Sequence, residues 1–203
     1  TLNGAITTDG VVTLDGPITL ATGAISITTA DDDINLKGTV DGTQALTLAS
    51  GSGAVTVDGA IGSGTNKALT SLTVNSSGAG TIEIANIGTA SAAGVTGATA
   101  IGNDNTGTLT LDGTVYTTNA ATYTAATGEN IDLKGGATTT FTSSNDAITF
   151  GTATVEMADG SNLVIDTDTL GGAIDLSGGV MGTSSENITL TAGTGTVAIG
   201  AVG

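Results

Sequence analysis

The sequence predicts an all-β protein, a parallel β-helix (β-solenoid) with about 21–22 residues per coil. The first observation behind this prediction is a recurring five-residue unit, seen at 34–38 as Ile-Asn-Leu-Lys-Gly. It alternates apolar and polar residues and ends in glycine, which is typical of a short half-buried strand that runs into a turn. Related units begin at Val12, Val55, Leu109, Ile131, Ile174 and Val197.

The second observation is the spacing of these units along the chain. Their closing glycines lie at 16, 38, 59, 113, 135, 178 and 200, so the successive steps are 22, 21, 54, 22, 43 and again 22. We interpret the step of 43 as two coils and the step of 54 as about two and a half. A fixed period of this size indicates a solenoid, whose repeats stack only on their neighbours. With strands about 4.8 Å apart, the chain would form about nine coils and a rod about 45 Å long.

The third observation is the alternation itself, which has a period of two and so favours strands over helices. Residues 1–62 alternate most regularly, with Asp-Gly turns at 9–10, 15–16, 41–42 and 58–59. Pro17, the only proline, is expected at a turn or strand start, where its missing N–H costs no ladder bond. Leu69 and Leu72 break the alternation and predict a bulge or a corner. No segment shows a helical pattern with caps.

The domain prediction is a single continuous solenoid over 1–203, with an irregular coil or an exposed insertion near 86–107. That stretch is rich in Ala, Gly and Thr, and its apolar residues Ile87, Val95 and Ile101 are far apart. The strand pattern resumes at 108 and continues to 203. Because neither end carries a polar cap, we expect a segment of a longer fibre or a unit that polymerises end to end.

Composition excludes several functional classes. The net charge is −16, with 19 acidic residues against three lysines and no arginine, so nucleic acid and anionic membrane surfaces would be repelled. Cysteine and histidine are absent, which excludes disulfides and thiolate or imidazole sites. No apolar stretch is long enough to span a bilayer as a helix. We therefore predict no nucleic-acid partner, no membrane span and no cofactor.

Acidic residues are the first candidates for a site. The run Asp31-Asp32-Asp33, and then Asp166 and Asp168, offer carboxylates to calcium, although the calcium-binding solenoid repeat Gly-Gly-x-Gly-x-Asp is absent. The favoured interpretation is a solvated turn. Paired acids also cleave glycosides, but such sites need a platform of aromatic and basic residues that this chain scarcely has. We predict no catalytic, cofactor-binding or metal-binding residues and no enzymatic activity.

Three further sequence patterns are weaker candidates for a functional site. Thr-x-Thr repeats on a flat face suggest water ordering, as in ice-binding solenoids, but any solvent-facing strand looks similar. Asn75-Ser76-Ser77 and Asn187-Ile188-Thr189 match the N-glycosylation sequence. Lys37 and Lys134 occupy equivalent places in two coils and are predicted to be solvent-facing charges rather than ligands.

Four runs of the sequence carry a resemblance to a known family. They are the runs from Ile34 to Leu48 and from Gly53 to Gly62, the run Ala68-Leu-Thr-Ser-Leu-Thr-Val, and Ala147-Ile-Thr-Phe-Gly. They resemble giant bacterial β-strand-repeat proteins and are similar to filamentous-haemagglutinin-like secreted adhesins. The resemblance implies a right-handed parallel β-helix that forms an extracellular rod exported by a two-partner or autotransporter route. It carries over no catalytic residues.

These observations predict a structural role at the surface of a bacterium. The chain is expected to be part of an extracellular fibre or adhesin shaft that gives length and stiffness for attachment or for matrix and biofilm formation. Its expected partners are neighbouring coils, copies of itself end to end, and cell-surface or matrix glycans. Two alternatives stay open: a short subunit that self-assembles into a filament, and a polysaccharide-acting β-helix enzyme.

Overall fold

The computed structural model describes residues 1–75, 80–168 and 170–203, which form 23 β-strands and no helix. All cross-strand pairs between these strands are parallel, as the repeat predicts. The strands are short because each ends at a corner of the coil. They are β1 Ile6–Thr8, β2 Val12–Leu14, β3 Ile18–Thr19, β4 Ile25–Thr29, β5 Ile34–Leu36, β6 Val40–Asp41, β7 Ala45–Ala49, β8 Val55–Val57, β9 Ser71–Asn75, β10 Ile82–Ile84, β11 Thr99–Ile101, β12 Leu109–Leu111, β13 Val115–Thr117, β14 Ala121–Tyr123, β15 Asn130–Leu133, β16 Thr138–Thr142, β17 Ile148–Thr149, β18 Thr154–Met157, β19 Asn162–Asp166, β20 Ile174–Leu176, β21 Val180–Met181, β22 Asn187–Thr191 and β23 Val197–Ile199.

Two long parallel sheets run the length of the molecule. The nine-stranded sheet has the order β1-β4-β7-β9-β11-β14-β17-β20-β23, and the eight-stranded sheet has the order β2-β5-β8-β10-β12-β15-β18-β21. Each step within a sheet is one turn of the chain, so nine strands correspond to about eight turns rather than the nine predicted. The β-solenoid prediction is therefore confirmed. The handedness that the family resemblance implies stays a prediction.

A third ladder closes the coil. It consists of a two-stranded sheet, β3-β6, and a four-stranded sheet, β13-β16-β19-β22. Single bridges from Val40 to Ile61, Ile61 to Ile87 and Ile87 to Tyr116 connect the two sheets. Each full turn therefore contributes to three faces, and its backbone groups pair with the turns above and below.

The interior is a continuous column of stacked aliphatic side chains. On the eight-stranded sheet Ile34, Val55, Ile82 and Leu109 lie directly above one another and are fully buried. The residue between two inward positions points outward, as the alternation predicts. Burying one such side chain stabilises the fold by about 1.5–3 kcal/mol, and every turn adds several. The column therefore gains stability turn by turn.

The length of a turn is less uniform than predicted. One turn runs from Ile6 to its paired residue Ile27, whereas a distinctly longer one runs from Val74 to its paired residue Ile101. The extra residues lie at corners, because paired strands must keep their register while corner loops are free to lengthen. The short period predicted from the glycines therefore describes only some of the turns.

The long glycine spacing from Gly59 to Gly113 has a simple origin in these longer turns. From Val55 the register passes through Ile82 to Leu109, which is two long turns rather than two and a half shorter ones. Asn86 takes the place of the missing glycine. Its side-chain Oδ1 accepts hydrogen bonds from the backbone N–H groups of Thr114 at 2.7 Å and Val115 at 2.9 Å. The amide thus connects two turns where the glycine column is interrupted.

The interpretation of the spacing from Gly135 to Gly178 as two coils is wrong. The units at Val12, Ile34, Val55, Leu109 and Ile131 all lie in the eight-stranded sheet. The units at Ile174 and Val197 lie in the nine-stranded sheet instead. The same local pattern occurs on both faces because each face needs a short alternating strand followed by a tight corner. The pattern alone therefore does not identify the sheet to which a unit belongs.

Residues 86–107 form a turn whose apolar residues are in the interior. Ile87, Val95 and Ile101 are fully buried, and Ile101 pairs with Val74 in the nine-stranded sheet. Val95 bridges Leu69 in the turn below and Thr118 in the turn above. Leu69 is therefore at a corner and Leu72 on the adjacent strand, which explains their broken alternation. The added length of this turn forms a loop between Ile87 and Val95.

The glycine column gives a matched test of the packing between turns. A Cβ placed at Gly59 would lie 2.2 Å from the carbonyl carbon of Gly38, whereas a Cβ at Gly16 meets nothing within 4 Å. We expect Gly59→Ala to destabilise the protein by about 1–3 kcal/mol because the turns must separate. Gly16→Ala should change the free energy of unfolding by less than about 0.5 kcal/mol. Urea unfolding measures both, and equal effects would contradict the stacked column.

Candidate functional site

The acidic run at 31–33 forms a corner between the nine-stranded and eight-stranded sheets. Asp31 has a positive φ of 85°, and its Oδ1 accepts a hydrogen bond from the backbone N–H of Ser52 at 2.9 Å. Asp33 Oδ1 accepts one from Ala54 N–H at 2.8 Å. Both carboxylates thus hold the next turn's corner in place. This arrangement gives the run a structural role and engages two of its three carboxylates.

Asp166 ends β19 and Asp168 follows it, at a different corner of the solenoid. Asp166 Oδ1 accepts a hydrogen bond from the backbone N–H of Asp168 at 2.9 Å, which forms a local turn. The two acidic groups are on separate turns of the solenoid and do not converge. In the part of the chain that the structure describes, no three Asp or Glu side chains are close enough to hold a metal ion.

The outward faces are polar but not uniform. Along the nine-stranded sheet Thr47 and Thr73 are stacked, and the column continues through Ala100 to Thr122 and Thr149 before it reaches Asp175. A regular hydroxyl array is therefore interrupted within the sheet.

The two glycosylation-type sequences differ in context. Asn75 is the last residue of β9, and Ser76 and Ser77 lie outside the described residues. Asn187 begins β22, where its side-chain Nδ2 donates to Asn162 Oδ1 at 3.0 Å. Asn162 donates in turn to the carbonyl of Ala137 at 3.0 Å. The Asn187 side chain therefore belongs to a ladder of amides that joins successive turns.

Lys37 and Lys134 occupy equivalent corners of the eight-stranded sheet, as the sequence predicts. Their backbone N–H groups donate to the carbonyls of Leu14 and Leu111, four turns apart. Lys37 Nζ is 4.0 Å from Asp15, and Lys134 Nζ is 3.2 Å from Asp132. About half of each lysine side chain is exposed, and such pairs contribute about 0–1 kcal/mol. Both lysines are solvent-facing charges.

The main feature that sequence reasoning missed is an aromatic cluster inside the column. Tyr116 stacks on Phe141 with ring centroids 4.8 Å apart, and Tyr123 stacks on Phe150 at 5.1 Å. The two stacks meet edge to face, with Tyr123 and Phe141 5.4 Å apart. All four rings are fully buried. The sequence signal for this cluster is that aromatic residues recur at inward positions of consecutive turns. Stacking of the turns brings residues at such positions together.

The two tyrosine hydroxyls differ in their surroundings. Tyr116 OH donates to the carbonyl of Ile84 at 3.0 Å and accepts from Gly113 N–H at 2.8 Å. Tyr123 OH has no hydrogen-bond partner among the described residues. Burial raises the pKa of both tyrosines far above the usual value, and the Gly113 hydrogen bond only partly offsets this for Tyr116. Neither hydroxyl has access to a ligand, so this cluster is a packing element.

One carboxylate near the last turn has a shifted pKa. Desolvation raises the pKa of Glu186, but hydrogen bonds from the backbone N–H groups of Ser184, Glu186, Thr183 and Gly160 outweigh it, so the net shift is downward. The Ser184 N–H lies 2.9 Å from Oε2 and the Gly160 N–H lies 3.2 Å from Oε1. Glu186 thus connects its own corner to that of the preceding turn, as Asp31 connects its corner to that of the next.

Comparison of the chain with protein-family models, with curated proteins and with solved structures gives no match. No helix among the described residues is long and apolar enough to cross a membrane. Several carboxylates and amides of the described residues join one turn to the next.

The two tyrosines provide a matched pair of variants. Tyr116→Phe leaves the Gly113 N–H without its buried partner, while the Ile84 carbonyl keeps its hydrogen bond from Asp112 N–H, and should cost about 1–3 kcal/mol in unfolding free energy. Tyr123→Phe removes an unpartnered hydroxyl and should be neutral or stabilising. Thermal and urea unfolding monitored by circular dichroism measure both. A larger loss for Tyr123→Phe than for Tyr116→Phe would contradict this assignment.

The raised tyrosine pKa values also predict a response to alkali. Since the folded-state pKa lies above the unfolded value of about 10, the stabilising effect is complete below that pH and is lost as pH rises beyond it. We expect no tyrosinate absorbance until the column unfolds, and then absorbance and circular dichroism should change together. Gradual ionisation within an intact fold would show that the cluster is open to solvent.

Proposed function

We propose that this chain is a non-catalytic structural rod, part of an extracellular fibre or adhesin shaft of a bacterium. The observation that carries the proposal is the set of three parallel ladders around a closed aliphatic interior. Such a column transmits force and sets distance, and its length grows by about 4.8 Å with each turn. The filamentous-haemagglutinin-like family that the sequence resembles would supply this role.

Stiffness follows from how the turns are connected. Bending the column opens the hydrogen bonds of one face, while the side-chain bridges at Asp31, Asn86 and Glu186 hold the corners. Stretching requires whole turns to separate and exposes their buried Val, Ile and Leu side chains. The net charge of −16 keeps neighbouring rods apart and so favours single rods over lateral aggregates.

A secreted location is part of the same proposal. The chain has no cysteine, so its fold depends on the stacking of neighbouring turns and not on disulfides. Such a protein tolerates the oxidising conditions outside the cell. Cell-surface or matrix glycans remain proposed partners of the rod.

A second candidate function is a filament made of short subunits joined end to end. A further turn stacked on β23 would cover Val197 and Ile199, whose equivalents in earlier turns are buried. That turn could come from the same chain, as in the shaft, or from a second copy, as in the filament, because a parallel strand edge accepts either. A second copy placing β1 on this edge would continue the nine-stranded sheet.

Two measurements separate these functions. For the shaft, electron microscopy of native material should show thin unbranched rods, and the dissociated chain should be many times heavier than 19.3 kDa. For the filament, the dissociated chain should be near 19.3 kDa, and Ile199→Asp should stop assembly whereas Thr122→Asp on the same sheet's outer face should not. Compact particles without rods would contradict both functions.

A further inference from the structure

Two successive corner loops form a ridge on one edge of the rod. The corner between the third ladder and the nine-stranded sheet spans only residues 42–44 in one turn and 118–120 in another. Between these turns the same corner is enlarged to 62–70 and then 88–98. The enlargement encloses a cleft of about 410 Å³ between the segments 63–68 and 89–93. We call this feature the corner cleft.

The two loops that line the corner cleft are held firmly by backbone contacts. In the first loop Lys67 N–H donates to the Gly64 carbonyl at 3.1 Å, and the Lys67 carbonyl accepts from Gly42 N–H at 3.0 Å. In the second loop Thr89 N–H donates to the Ala92 carbonyl at 2.9 Å, and Thr117 Oγ1 donates to the Thr89 carbonyl at 2.7 Å. A ligand would therefore meet a preorganised surface.

Glycines bring the two loops into direct contact. Gly62 has a positive φ of 62°, and a Cβ there would lie 2.1 Å from the Gly94 carbonyl oxygen. A Cβ at Gly94 would in turn lie 2.5 Å from the carbonyl oxygen of Ile61, which directly precedes the first loop. Side chains at these positions would force the loops apart, so the cleft depends on this close approach.

The corner cleft combines polar residues with one lysine. Ser63, Thr65, Thr89, Ser91 and Lys67 line it. Lys37 and Lys134 are paired with aspartates, whereas Lys67 forms no ion pair within the described residues. In a chain of net charge −16, Lys67 is thus an exposed cation without an ion pair among the described residues, at a cleft that four Ser and Thr residues also line.

We propose that the corner cleft binds a carboxylate-bearing sugar unit of the uronic acid type. The ammonium group of Lys67 would pair with the carboxylate, and the hydroxyls would donate to and accept from the ring hydroxyls. A cleft of this volume is at the small end of ligand sites and fits one monosaccharide.

The charge around the cleft favours a single negative charge on the ligand. Asp41 lies directly beneath it, where its Oδ1 accepts a hydrogen bond from Gly64 N–H at 3.1 Å. This carboxylate and the net negative charge of the chain disfavour phosphates and polysulfates, which carry more charge than one lysine balances. The site does not depend on the shaft role, since it needs only the two corner loops.

The test is an NMR titration of the folded protein with glucuronate, and with glucose as the neutral control. We expect glucuronate to shift the backbone amides of 63–68 and 89–93, and glucose to bind more weakly. Lys67→Gln should weaken glucuronate binding about fivefold, the upper end of what one exposed ion pair contributes. Lys37→Gln, which removes a paired lysine on another face, should leave the affinity unchanged.

Several outcomes overturn the proposal. The first is that glucose and glucuronate bind with equal affinity. The second is that the amide shifts are confined to other corners, and the third is that Lys37→Gln and Lys67→Gln lose the same affinity for glucuronate. An oligouronate that shifts the same amides would support a glycan-borne ligand, and one that fails while glucuronate binds would support the free sugar acid. Because the unfolding transitions of both variants are measured alongside, failure here stays separate from failure of the structural role.

Discussion

The register between successive turns is the constraint on which the rest of the structure depends. Each strand must present the same inward positions as the strands above and below, because one slipped residue would turn every buried side chain to solvent. Val55 lies on Ile34 and Ile82 lies on Val55, although the second of these turns is the longer. The variation in length is absorbed at the corners. Corners are therefore where the chain changes without loss of the core, and strands are where it does not.

The fold class follows from the sequence because it is written in local patterns. Alternation at 34–36 and a glycine at 38 specify a strand and a tight corner without reference to the rest of the chain. The assignment of each unit to a face does not follow, because Ile131 and Ile174 carry the same pattern yet lie in different sheets. That choice depends on corner lengths throughout the preceding turns. Asn86 shows the same limit, since an amide that replaces a glycine is recognised only once the turns are stacked.

The sequence predicted which types of residue the candidate sites contain, but not the contacts that these residues make. The acidic run at 31–33 belongs to a turn, as the favoured interpretation had it, but its specific task is to accept the N–H groups of the next turn. This contact joins positions a full turn apart and has no local signal. The aromatic cluster is similar, because Tyr116 and Phe141 meet only through the stacking of turns. Lys67 was visible in the sequence as one of three lysines, yet its lack of an acidic partner among the described residues emerges only in the structure.

In a solenoid, polar groups that recur from turn to turn serve to join the turns. A polar feature that departs from the repeat therefore calls for a functional explanation. The ladders engage backbone groups, and the corner carboxylates and amides of Asp31, Asn86 and Glu186 are engaged by adjacent turns. The outward threonines and several exposed aspartates carry further polar groups, but they are spread along the faces and corners. The loops at 63–68 and 89–93 differ because they lengthen one corner in two successive turns without adding to any long sheet. Ordering such loops costs conformational entropy that the core does not require. A selected ligand contact at this corner is the most direct reason for a rod to retain them.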